Sequence, residues 1–314
     1  MSIKNRLKKI KIINDFVIHY KWKERKVSYG RENPDITFFV VRRNSEDAGL
    51  FSYVMFSLGW IQYALEKGYI PIIDMCNTKN TYLSQEEVGK YNAWEYYFDQ
   101  PCGYTLRDIQ ASKNIILSSI DNAPIYPGHL MTKNPDEYRR WKTLADKYLH
   151  VKKVHLKELD RQYEQMFQGK RVLGVLCRGT DYRTLKPSGH PVQPGIEDVI
   201  RKVKDVSSEY YCQYIYLATE DSSILEAFQR QFGEQLKYYD TIRYQNTGIR
   251  NINLFAEEQN DVAPKKRGIN YLYEIGILSK CNCLVAGSAG GTYGAILLGD
   301  EYEYQYIYDL GLYP

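Results

Sequence analysis

Arg178-Gly179-Thr180-Asp181 sets a cation, a glycine, a hydroxyl and a carboxylate in consecutive positions. They follow Val172, Leu173, Val175 and Leu176, a short apolar run of the kind found in parallel strands covered on both faces. Open α/β sheets bind ligands at the carboxyl ends of such strands. An arginine there can grip phosphate by a bidentate, charge-assisted contact. Gly179 would let the backbone turn close to that ligand. An Arg178–Asp181 ion pair that only pins the loop fits the same residues.

Two further strand ends reach the same edge. CQYIYLAT (212–219) runs into Thr219-Glu220-Asp221, and CNCLVAGS (281–288) runs into Ala289-Gly290-Gly291. Small residues at the start of a helix expose N–H groups where the helix carries partial positive charge, which favours an anion. Ser288 adds a hydroxyl, and with Arg178 this is enough to hold a diphosphate. The other reading of Gly290-Gly291 is close helix packing. No Gly-Lys-Ser/Thr follows, so the turn is not a P-loop.

The elements around these residues alternate. ITFFVVR (36–42) reads as a strand, residues 50–69 as a helix ending at Lys67-Gly68, IPIID (70–74) as a strand and NIILSS (114–119) as another. Residues 135–168 read as helix, with Tyr138, Trp141, Leu144 and Tyr148 on one face. In the second half, helices are expected over 195–206, 222–233, 268–280 and from Gly291 onward. Strands are expected over 171–177, 212–219, 236–240, 281–288 and 304–311, and 241–267 reads as a loop. Asp221 or Ser222 is the N-cap of the 222–233 helix. The expectation is an α/β protein with parallel sheets layered between helices. Its parts are a basic segment (1–35), a Rossmann-like unit (36–165) and a second such unit (166–314), the two units facing a cleft.

The chain has 314 residues, net charge +4, 44% hydrophobic and 25% charged residues. That is globular composition, with too little charge to imply nucleic acid. No stretch of 18 apolar residues and no secretory signal is visible, so a cytoplasmic protein is expected. The six cysteines show no zinc spacing and point to free thiols in a reducing compartment. Residues 1–31 carry ten Lys/Arg against Asp15 and Glu24, interleaved with apolar side chains. Such a segment suits peripheral contact with an anionic membrane face, and equally a solvated leader. NAWEYYFDQP (92–101) has the acid-plus-aromatic composition of sugar sites, or of a packed aromatic loop. A single glycine at the 36–74 turn is too little for a dinucleotide fingerprint.

Gly-Val-x-x-Arg-x-Thr-Asp at 174–181 resembles the arginine-bearing strand motif of the fucosyltransferase superfamily, which includes α1,6-, α1,2- and protein O-fucosyltransferases. YLATED (216–221) and LSKCNCLVAGSAGGTYGAILL (278–298) are similar to its next two motifs, and residues 48–74 to its first βαβ unit. The resemblance implies a GT-B fold and metal-independent, inverting transfer of fucose from GDP-fucose to a glycan, with no cofactor. It implies that Arg178 meets the β-phosphate, Ser288 a phosphate oxygen and Glu274 the guanine. It also implies that Asp221 holds the ribose or orders Arg178, and that Gly49 borders the diphosphate, beside Gly179, Thr180, Ala289 and Gly290. The chain departs from the pattern at Leu176, Gly179 and Lys186, where members carry a histidine, a second arginine and a glutamate. The catalytic base is therefore sought in His190 or Asp181, with Asp47, Glu95 and Asp99 as cleft-facing alternatives. A nucleotide- or glycan-binding module without turnover, or a transferase using another nucleotide sugar, fits the same departures.

Overall fold

A computed structural model of the chain describes residues 22–179, 184–245 and 251–314. The first half builds a four-stranded sheet from β1 (Arg25–Val27), β2 (Glu32–Arg42), β3 (Ile70–Asp74) and β4 (Ser112–Leu117), in the order β1-β4-β2-β3. Helix α1 (Leu50–Glu66) joins β2 to β3, and the short α2 (Trp94–Tyr97) precedes β4. β2 is parallel to both β3 and β4. Its run is apolar on both faces because both are covered. Phe39 and Val41 pack toward α1, while Phe38 and Val40 join Ile72, Ile115 and Leu117 on the other side. That second face is closed by a loop carrying Tyr104, Leu106 and Ile109. α1 stops where Gly68 adopts φ +71°, a conformation glycine takes without steric cost.

Two expectations change here. The strand read from Ile36 begins at Glu32. The sheet is also not wholly parallel, because Arg25–Val27 pairs antiparallel with β4, Lys26 opposite Ile116. Part of the basic segment is thus a sheet edge, tied down by Arg42, which donates to the carbonyls of Ser118 and Lys23. Residues 1–21 lie outside the described residues.

The predicted helix over 135–168 divides into α3 (Pro135–Tyr148) and α4 (Lys153–Phe167). Asn134 caps α3 by accepting from the N–H groups of Asp136 and Glu137, with proline at the first helical position. The second half follows as β5 (Val172–Leu176), α5 (Ile196–Glu209), β6 (Tyr214–Ala218), α6 (Ser222–Phe232), β7 (Leu236–Lys237), α7 (Ile252–Gln259), α8 (Pro264–Leu278), β8 (Cys283–Gly287), α9 (Gly290–Leu298) and β9 (Tyr304–Tyr308). Its sheet is parallel throughout, in the order β7-β6-β5-β8-β9. The chain moves outward from β5 to β6 and β7, then returns to the other side of β5 for β8. The edge between β5 and β8 is therefore a topological switch point. The segment read as a loop, 241–267, contains α7 and the first turn of α8, and β7 is only two residues long.

One apolar cluster runs through both halves. It includes Val54, Leu58 and Ile61 of α1, Leu272 and Ile275 of α8, and Ala295 and Ile296 of α9. α1 and α9 cross closely because Gly294 has no side chain, and a Cβ there would lie 2.2 Å from Cδ1 of Phe51. A second cluster, with Val175, Leu217 and Val285, fills the space under α5 and α6. No helix among the described residues is long and apolar enough to cross a membrane, and all six cysteines are free.

The crossing makes a direct prediction. Gly294→Ala gains about 1 kcal/mol of helix propensity but forces a methyl group into the Phe51 ring. The expected net result is a loss of about 1–3 kcal/mol, as for other overpacked cores, read by equilibrium urea unfolding. Unchanged or higher stability would show that the crossing tolerates a side chain.

Candidate functional site

At the carboxyl edge of the second sheet lies a cavity of ≈ 940 Å³, its mouth included. Leu176 and Arg178 reach it from β5, Ala218 to Glu220 from β6, and Tyr271 and Glu274 from α8. Gly49, the residue before α1, borders it from the other half.

Arg178 is held by Glu220. Its Nε donates to Glu220 Oε1 at 3.1 Å, and the same oxygen accepts the N–H of Gly179 at 2.9 Å. Both side chains are less than a fifth exposed, 17% and 19%. The alternative partner weighed for Arg178, Asp181, lies outside the described residues, as does Thr180. Among the described residues, the bonds that Asp221 makes are those of a helix cap. Its Oδ1 accepts from the N–H groups of Ser223 and Ile224, at 2.8 and 3.3 Å, and caps α6. Gly179 has a different reason from the one expected: a Cβ there would stand 2.2 Å from Oδ2 of Asp221. The glycine makes room for the capping aspartate beneath the loop.

Glu274 is buried in the cavity wall. Its Oε1 accepts the N–H of Thr219 at 3.2 Å and lies 3.7 Å from Arg243. The guanidinium of Arg243 donates instead to the carbonyls of Thr219, Thr241 and Tyr239. Burial pushes the Glu274 carboxyl up to about 7. Arg243 and the Thr219 N–H oppose that shift, and Glu220 adds to it. Arg243 was not picked out from the sequence. Neither was Arg267, which lines the cavity and donates to Thr81 of the first half and to the carbonyls of Ala256 and Val262. Both sit in or beside the stretch read as a loop, and only the tertiary contacts mark them.

The third strand end behaves differently from the expectation. The hydroxyl of Ser288 is paired at 2.5 Å with that of Tyr293, and its carbonyl accepts from Gln193. Ala289 is the extended N-cap of α9. A Cβ on Gly290 would lie 3.6 Å from the Ser52 nitrogen, and one on Gly291 would lie 2.7 Å from the Tyr271 hydroxyl. Close helix packing therefore accounts for Gly291, whereas a Cβ on Gly290 would meet only ordinary contact, and none of residues 288–290 is among the cavity's lining. His190 also stands apart from it, in a loop whose backbone pairs with Tyr313. The cavity thus brings together Gly49, Arg178 and Glu274 from the sequence-derived set, with Gly179 alongside Arg178.

No protein-family model matches the chain, and no curated protein sequence does. Among solved structures, the fold is similar to NodZ alpha-1,6-fucosyltransferase co-crystallized with GDP, with a TM-score of 0.50, 16% identity, and coverage of 84% of this chain and 93% of that one. It is also similar to POFUT1 in complex with GDP, with a TM-score of 0.53, 9% identity, and coverage of 87% and 98%. At such identities the likeness is one of fold, the α/β GT-B-like arrangement of two sheets.

The raised Glu274 pKa makes a prediction that needs no ligand. Between the ordinary carboxyl value of 4.5 and about 7 the folded chain holds a proton that the unfolded chain releases. Glu274 therefore favours the folded state below pH 4.5, and that contribution declines as pH rises through about 7. Glu274→Gln should remove the decline, a difference of up to about 3 kcal/mol across the window, measured by urea unfolding at a series of pH values. Parallel pH profiles for the two proteins would contradict it.

Proposed function

We propose that this chain is a glycosyltransferase that binds a GDP-sugar in the cavity at the β5–β6 edge. In this reading it transfers fucose from GDP-fucose to a glycan by metal-independent, inverting displacement. The observation that carries the reading is one cavity shared by a fixed arginine, Arg178, and a buried carboxyl, Glu274. The fold shared with two structures that contain GDP supports guanine as the base. Residues 166–314 form the donor side and 36–165 the acceptor side.

Arg178 takes the β-phosphate and stabilises the charge that grows on GDP as the sugar leaves, which is the task a divalent cation performs elsewhere. Glu220 sets the direction of Arg178 before the donor arrives. Glu274, as carboxylate, accepts from the paired N1–H and amino donors of guanine, a pairing adenine lacks. Among the described residues its hydrogen bond and ion pair both fall on Oε1. Gly49 faces the diphosphate from the other half. Peripheral membrane contact, the other part of this reading, is assigned to the basic segment 1–31, and its test spares 22–31 because Arg25–Val27 pairs with β4. Binding of the full chain to anionic vesicles, lost on deletion of 1–21, is the expected result.

A binding module without turnover is the second reading. It is favoured by the fact that the only carboxylates among the described lining residues are Glu220 and Glu274, each facing an arginine. Release of GDP from GDP-fucose in the presence of a glycan separates the two.

The first test is calorimetry with GDP, UDP, ADP and CMP in EDTA. GDP alone should bind, and Arg178→Ala should lose about 2–5 kcal/mol. GDP affinity should also rise as pH passes up through about 7, where Glu274 ionises, by at most about tenfold per pH unit. Binding of UDP or CMP in place of GDP removes the guanine assignment. No binding without metal removes the donor reading altogether.

A further inference from the structure

A second open space, larger than the cavity above, is a groove of ≈ 1950 Å³, mouth included, on the first half. Among the described residues, the sheet face opposite α1 is covered by the loop around Tyr104–Ile109 rather than by a helix. Val40 and Leu117 form its floor at the strand ends. Around them stand aromatic rings and anchored polar groups. Tyr29 and Tyr91 are 53% and 52% exposed, and Trp22 is half-buried, with Arg42 5.4 Å from its ring centroid.

The carboxylates in the wall are held in place. Asp74 accepts from the backbone N–H groups of Cys76 and Asn77 and from the Asn77 side chain. Glu95 accepts from Asn92 and Gln100 through one oxygen, Oε1. Their orientation is therefore set before any ligand arrives. The stretch 92–101 divides between core and groove. Trp94, Tyr97 and Phe98 are buried core, while Asn92, Glu95 and Tyr96 face the groove.

We propose that this groove binds an extended saccharide of several residues. A sugar ring has two apolar C–H faces and a rim of hydroxyls. Flat amphipathic rings such as Tyr29, Tyr91 and Trp22 suit the faces. A fixed carboxylate such as Glu95, whose bonds from Asn92 and Gln100 both fall on Oε1, suits the rim, because each hydroxyl both donates and accepts. The volume, against ≈ 940 Å³ for the first cavity, suits an oligomer better than one small molecule. The assignment stands on the groove's own lining, and only the step of calling this saccharide the acceptor rests on the donor reading.

The molecule supplies its own reporter. Trp60, Trp94 and Trp141 are buried, at 5%, 0% and 1% exposure, so quenching of tryptophan fluorescence by acrylamide reads Trp22. The full chain is titrated with hexasaccharides of β1,4-glucose, β1,4-N-acetylglucosamine and α1,4-galacturonate. At least one should protect Trp22 saturably. Tyr91→Ala and Glu95→Gln should each weaken that protection about tenfold, while calorimetric GDP affinity in the same variants stays within twofold of the parent. Tyr91 is too exposed for its loss to unfold the chain, and the glutamine oxygen can still accept from Asn92 and Gln100. Failure of all three sugars to protect Trp22, or protection that both variants retain in full, overturns the proposal. Loss of GDP binding in the parent chain with protection intact overturns only the donor reading.

Discussion

The two halves meet where a helix has no side chain. Phe51 of α1 lies against Gly294 of α9 in the space a Cβ would need, and this lets the helices approach more closely than side chains at both positions allow. The consequence reaches the site. Gly49 comes directly before α1, so the depth of the crossing decides how far the end of α1 projects over the sheet of the other half. Two polar ties hold the same relation. Asn253 of α7 donates to the carbonyl of Asp47 at 2.9 Å, and Arg267 of α8 donates to the hydroxyl of Thr81 at 2.8 Å. The apolar contact supplies most of the energy, since buried hydrocarbon is worth about 25 cal/mol per Å². The hydrogen bonds set the direction. A cavity walled by both halves keeps its shape only while all three persist.

In and behind its wall, two arginines and two glutamates are paired unequally, and the inequality explains their behaviour. Glu220 receives real hydrogen bonds from Arg178 and Gly179 while keeping some contact with water. Glu274 is more deeply buried, yet Arg243 approaches it only to 3.7 Å because its N–H groups are spent on three backbone carbonyls. A single backbone N–H and a charge at that distance do not replace the lost hydration, so desolvation prevails and the proton is retained. A ligand that offers two donors to Glu274 would change that balance, which makes the group selective for what enters.

Much of this was legible in the sequence, and the failures have physical causes. The alternation of strands and helices, the edge carrying Arg178, and Asp221 as a helix cap all follow from apolar runs and capping chemistry. The choice between adjacent acids did not. Asp221 is short and bound to the nitrogens ahead of it, whereas Glu220 is long enough to turn back toward Arg178. Ser288 reads as a phosphate donor because small residues surround it, and the fold adds a partner the sequence does not mark, the hydroxyl of Tyr293 five residues on. Helix α7 was missed because only Ile252 and Ala256 of its eight residues are buried, too faint a stripe to stand out. The groove depends on which face of the sheet is left without a helix among the described residues, and that is a matter of topology.

The segment after β3 is the wall between the two spaces. Thr78 lines the groove and gives its hydroxyl to the carbonyl of Arg43 at 2.9 Å, anchoring the segment to the end of β2. Three residues later, Thr81 holds Arg267, which lines the cavity. Occupants of the two spaces would therefore press on opposite sides of one short strap. Coupling of their affinities would need the strap to have two arrangements that the ligands distinguish. It is instead tied at both ends and braced between them by Asn80, whose side-chain amide donates to the carbonyls of Met75 and Thr78. A wall so held transmits orientation rather than cooperativity: it can present one molecule to another at a fixed angle while leaving each to bind as though the other were absent.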